Sequence, residues 1–205
     1  MIRILRSLKR NERGATLVEF AFAAPVLLLV VMGLLDMTYR LYATAMLQGE
    51  VQKAARDSTL ESSSNVVAIA ALDQRVKDGF RSINGAVTDG SFEITRRNFS
   101  DFSSAGKMEA ATGPGGQCAP PVGGVPFTYF DINNSNSWDD GAIDGQGGAQ
   151  DVTLYTVKVS YKALFPVNAL YGASPYHTIT ASTVLRNQPY KGKQARNAGQ
   201  TRNCS

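Results

Sequence analysis

Sixteen consecutive positions, Phe20 to Leu35, carry no polar side chain. No other stretch of the 205 residues is as long and as apolar. At about 1.5 Å per residue, a helix over 15–35 covers roughly 30 Å, the hydrocarbon thickness of a bilayer. Ahead of it stand Arg3, Arg6, Lys9, Arg10 and Arg13 against the single acid Glu12, and directly after it comes only Asp36. The excess of cations on one side predicts a single pass with residues 1–14 cytoplasmic and everything beyond residue 36 extracytoplasmic.

That basic tip also accounts for the whole formal charge of +4, so residues 15–205 are net neutral. A basic nucleic-acid-binding face therefore has no support in the bulk of the chain, and no nucleic-acid partner is expected. With 43% hydrophobic and 19% charged residues, the chain is neither disordered nor polytopic. One histidine and two cysteines leave little for a zinc site, and no metal or other cofactor is expected.

Two residues are awkward in a plain anchor. Pro25 lacks an amide donor and normally kinks a helix interior, although membrane helices tolerate it better. Glu19 is the harder problem, because a carboxylate inside a span costs about 2.5–3.5 kcal/mol, less near the interface. It is either a tolerated interfacial acid or one with a cationic partner.

The local order is Gly14-Ala15-Thr16-Leu17-Val18-Glu19-Phe20, after a short basic leader and before an apolar helix. This G-x-x-x-x-E-F pattern resembles the processing site of type IV prepilins and pseudopilins. The Glu-Phe pair, the early Pro25 and the overall layout look most like the TadE-like pseudopilins of the Tad (Flp) pilus system, over residues 1 to about 60. A weaker echo is Ala181 to Tyr190, where Arg186-Asn187-Gln188-Pro189 is similar to that family's closing motif, with Gln188 in place of its usual acid.

The resemblance implies cleavage between Gly14 and Ala15 by a membrane-embedded prepilin peptidase. A glycine lets a protease approach the backbone closely. The new α-ammonium on Ala15 would lie about one helical turn from Glu19. In the pilin family the equivalent acid pairs with the N-terminal amine of a neighbouring subunit, which offsets the burial of both charges. Gly14, Ala15, Glu19 and Phe20 thus form the expected processing site, and Glu19 and Pro25 the expected assembly residues. Partners would be the membrane, the peptidase and other pilins through the N-terminal helix.

An ordinary secretory signal is the competing reading. Its A-x-A triplets are poorly placed: Ala21-Phe22-Ala23 precedes most of the apolar core, and Ala43-Thr44-Ala45 lies beyond Asp36, Tyr39 and Arg40.

Beyond the span, Leu34, Leu35, Thr38, Leu41, Tyr42, Ala45, Met46 and Gly49 recur at three- and four-residue steps. One helix over 15–60 is expected, emerging from the membrane with an apolar stripe. That stripe serves either as internal core or as a surface for partner helices. Ser62 to Asn65 offers a break and cap before a second helix that starts at Val66 and is stopped by Gly79. Strands are expected at 92–95, 125–130, 152–164 and 177–186, the last two as a long hairpin. The expected fold is α+β, a long N-terminal helix with a transmembrane first half packed on a small antiparallel sheet head, pilin-like. Its segments are a basic leader (1–14), the helix (15–60, spanning at 15–35), the head (61–190) and a loop-like basic tail (191–205).

Residues 131–150 invite a calcium reading, since Asp131, Asn133, Ser135, Ser137 and Asp139 alternate as hard oxygen ligands. The EF-hand test fails, with Asn136 where glycine is needed and Ala142 where a bidentate Glu is needed. A solvated loop with Asx turns is the plainer account. Cys118 and Cys204 both fall on the expected extracytoplasmic side, where a disulfide between them is permitted. Two free thiols or an intermolecular bridge are the alternatives.

Catalysis finds no footing. His177, the one histidine, heads a strand beside Pro175 and Tyr176, and edge packing suits it better than base chemistry. No nucleophile elbow, phosphate loop, C-x-x-C or dinucleotide fingerprint occurs. The function expected is that of a non-enzymatic minor pseudopilin of the bacterial inner membrane. It would be processed by prepilin peptidase and take part in assembly of an adhesive Tad/Flp pilus or a related secretion apparatus. The alternative is an uncleaved single-pass envelope protein whose head binds a ligand or carbohydrate.

Overall fold

In the computed structural model, residues 13–60, 66–165, 167, 169, 172–187 and 198–204 are described. The basic leader up to residue 12 and the Ser62–Asn65 cap fall outside them, as does most of the tail from 188 to 197. The fold is α+β. Helix α1 spans Arg13–Leu60 and α2 spans Val66–Arg81. The strands are β1 (Phe92–Phe99), β2 (Thr128–Asp131), β3 (Ile143–Asp144), β4 (Val152–Lys162), β5 (Tyr176–Arg186) and β6 (Gln200–Asn203). A four-stranded sheet has the order β3-β1-β4-β5, and β2 and β6 form a separate ribbon. By internal contacts the chain divides into two units, Met1–Tyr42 with Tyr161–His177, and Ala43–Ser160 with Thr178–Ser205.

In the larger unit, α1 buries Ala43, Leu47, Val51, Ala54 and Ala55. Helix α2 buries Leu72, Val76 and Phe80, four residues apart and so on one face. Strand β4 adds Val157 and Val159, fully buried, with Val152 and Tyr155. Each of the buried Val, Leu and Phe side chains contributes about 1.5–3 kcal/mol by leaving water. Strand β1 runs antiparallel to β4, from Phe92 opposite Val159 to Phe99 opposite Val152. The β4–β5 hairpin closes in matching register: the Asn187 amide donates to the Asp151 carbonyl at 3.0 Å, and the Ala163 amide to the Pro175 carbonyl at 2.9 Å.

Four expectations change. The stripe through Leu41, Tyr42 and Ala45 is exposed, and the buried face of α1 is instead the one through Ala43, Leu47 and Val51. Both faces carry apolar residues, so periodicity alone could not choose between them. Gly79 does not stop α2, which runs on to Arg81. A Cβ at Gly79 would come within 2.7 Å of the Glu50 side chain, so this glycine permits close helix packing. Strand β1 continues through Arg96 and Arg97 because each finds a carboxylate, Asp73 and Asp140 respectively. The tail, expected to be loop-like, forms β6 at 200–203, where Arg202 pairs with Asp131 at 2.5 Å.

Candidate functional site

Helix α1 carries Gly14, Ala15, Glu19, Phe20 and Pro25 within its first turns and continues through Pro25 as one element. Gly14 is exposed, and nothing lies within 4 Å of where a Cβ would stand. Glu19 is exposed as well, and four residues separate it from Ala15, about 6 Å along the axis. The apolar run is open on every side: Leu17 (71%), Phe20 (66%), Phe22 (78%) and Val26 (63%) lead a surface that continues through Leu35. A helix apolar all round is covered either by lipid or by other helices. Among the described residues, one helix is long and apolar enough to cross a membrane, and its most apolar stretch is unburied.

The run ends at Asp36, and there the structure holds a constellation that the sequence did not reveal. Asp36 is only 8% exposed. Its Oδ1 accepts the backbone amides of Leu164 at 2.9 Å and Phe165 at 3.4 Å. Its Oδ2 accepts from His177 Nε2 at 2.6 Å. Tyr161 packs edge-on against both Tyr39 and His177, with ring centroids 5.9 Å apart in each case. Burial, together with the nearby Tyr39 and Asp36, pushes the Tyr161 hydroxyl up to about 12. His177 therefore anchors a helix residue 141 positions away. The only hint in the sequence was that Asp36 is the first polar residue after the run.

The head holds itself together with buried polar groups. Asp73 on α2 takes a two-pronged bond from Arg96, at 2.8 and 2.5 Å, and the Tyr155 hydroxyl at 2.9 Å. Arg96 also stacks 4.4 Å over the Tyr155 ring. Asn187, in the Arg-Asn-Gln-Pro ending, donates to the carbonyls of Gln146 at 2.6 Å and Gly148 at 2.9 Å. The residue just past β5 thus pins the loop that leads into β4.

Asp131, Asp139 and Asp140 of the loop at 131–150 are engaged by protein. Asp131 accepts the amides of Ser135 and Asn136, both at 3.0 Å, as well as Arg202. Asn133 donates to Asp139 and to the Ala142 carbonyl. Trp138 donates its indole N–H to the Glu109 carbonyl at 2.8 Å. Among the described residues, no three His, Cys, Asp or Glu side chains converge on a metal-sized point. Cys118 and Cys204 are joined as a disulfide.

Residues 14–56 match the family model described as TadE-like protein. The matched stretch opens at Gly14, contains Glu19, Phe20 and Pro25, and ends inside α1. No curated protein and no solved structure matches the chain.

Proposed function

We propose that this chain, TadE-like over residues 14–56 and by that likeness a participant in Tad pilus assembly, is a minor pseudopilin cut between Gly14 and Ala15 by a prepilin peptidase. It crosses the bacterial inner membrane once, with its first residues cytoplasmic and its head outside. The observation that carries the reading is the unburied apolar surface of α1 from Phe20 to Leu35, headed by Glu19. Lipid covers that surface in the inserted precursor, and neighbouring pilin helices cover it on assembly. The Ala15 α-ammonium released by cleavage pairs with Glu19 of an adjacent subunit, which removes the cost of carrying a lone carboxylate into the helical bundle. The exposed Leu41 and Tyr42 extend the contact surface beyond the span. The disulfide agrees with an oxidising compartment for the head. The role is structural rather than catalytic.

The mass and N-terminal sequence of the protein recovered from its native membrane test this directly. A mature chain beginning at Ala15 is expected. Gly14→Trp should leave the precursor at full length, with its membrane insertion unchanged. Recovery of the natural chain with its basic leader attached overturns the reading.

A further inference from the structure

Resting on the reading of α1 as a membrane span, we infer that the turn joining β4 to β5 is a second membrane contact, seated in the headgroup layer of the bilayer beside the helix. Residues 163–176 contain no Asp, Glu, Lys or Arg. They include Leu164, Phe165, Val167, Leu170, Tyr171 and Tyr176, an aromatic and aliphatic content suited to the membrane–water interface. Leu164 and Tyr176 are 54% and 59% exposed, at the two sides of the turn. An exposed apolar turn of this kind needs a cover, and its attachment to the helix says which one.

That attachment fixes depth. Asp36, the first polar residue after the apolar run, holds the amides of Leu164 and Phe165 and the ring of His177. Three residues further from the run, Tyr39 meets Tyr161. Moving along β4 from Tyr161 to Leu164 therefore moves toward the apolar run. With 15–35 filling the hydrocarbon layer, Asp36 lies at its outer boundary and the turn reaches about 5–10 Å into the headgroup and acyl boundary. The clamp also answers what a carboxylate at that depth requires, since two amides and an imidazole N–H satisfy it without water. Lys162, exposed just before the turn, is within the same layer to meet lipid phosphates.

The test uses the full chain in bilayer nanodiscs. Single cysteines at Ala169, Tyr176 and, as a reference in the span, Leu28 carry a nitroxide. Collisions with oxygen, which concentrates in lipid, are compared with those of a water-soluble nickel chelate. Labels at Ala169 and Tyr176 are expected to show an oxygen-to-nickel ratio several-fold above the free label in buffer and below the value at Leu28. A ratio equal to that in buffer, with Leu28 still in lipid, overturns the membrane contact and leaves the span intact. Low collision with both reagents overturns it in favour of a protein cover, a second copy or another subunit. A Leu28 label open to nickel removes the span itself, and this inference with it.

Discussion

Asp131 is fully buried, and its ionisation state follows from what surrounds it. Burial acts to raise its pKa, but the amides of Asn136 and Ser135 and the Arg202 guanidinium outweigh burial and hold it below the usual carboxylate range. A group lowered in the folded state stabilises it fully above its unfolded value, and that stabilisation disappears as pH falls through the folded one. Acidification below the ordinary Asp value near 3.8 should therefore release the Arg202 pair and loosen β6. Asp131→Asn should be less stable than the natural chain at neutral pH and should lose less on acidification. Urea titrations of both proteins at pH 7 and pH 3 check this, and parallel losses would count against it. Glu109 is shifted the opposite way: burial pushes its carboxyl up, against the amides of Ile132 and Asp139. Its contribution is thus present at low pH and fades as pH rises through the folded-state value.

At the scale of elements, the proposed reading gives α1 two separable tasks, crossing the bilayer and packing on the head. Glu19 belongs to the first part, where its side chain is exposed. Glu19→Ala should raise the apolarity of the span and insert normally, yet be depleted from assembled pili. Fractionation of membrane and sheared pilus material, with the variant as abundant in pili as the natural chain, would refute the pairing. The helix was legible in the sequence because its apolar run and helical spacing are long. Strands β4 and β5 were legible because Val, Ile, Tyr and Thr alternate with a period of two. Strand β6 was not, since Gln200-Thr-Arg-Asn is polar and takes its conformation from pairing with β2. Nor was the Asp36–His177 clamp, because nothing local joins residues 141 positions apart. Gly79 misled for the same reason: its neighbour Glu50 lies on another helix. Within the candidate site, the linear pattern from Gly14 to Pro25 could be read directly, while the clamp at the end of the span depends on tertiary structure.

For the whole molecule, the bond between Cys118 and Cys204 spans a sequence separation of 86 residues. Closing a loop of that length restricts the unfolded chain, and such links typically contribute about 2–5 kcal/mol. The double variant Cys118→Ser, Cys204→Ser should lower the free energy of unfolding by that order. Reductant should bring the natural chain down to the same level and leave the double variant unchanged. Differential scanning calorimetry with and without reductant reads both effects, and a reductant-insensitive natural chain would show that the link carries no stability.

The same loop encloses β2 through β6 and leaves α1, α2 and β1 outside it. If the chain is drawn into a pilus by its helix, as proposed, tension enters through a segment that the covalent ring does not contain. Were the head to give way, the chain between the two cysteines, 86 positions apart, could not be drawn out, which withholds about 290 Å of contour length. The head would then yield as a short tether rather than a long one, and could recoil to its folded state once the pull is relaxed.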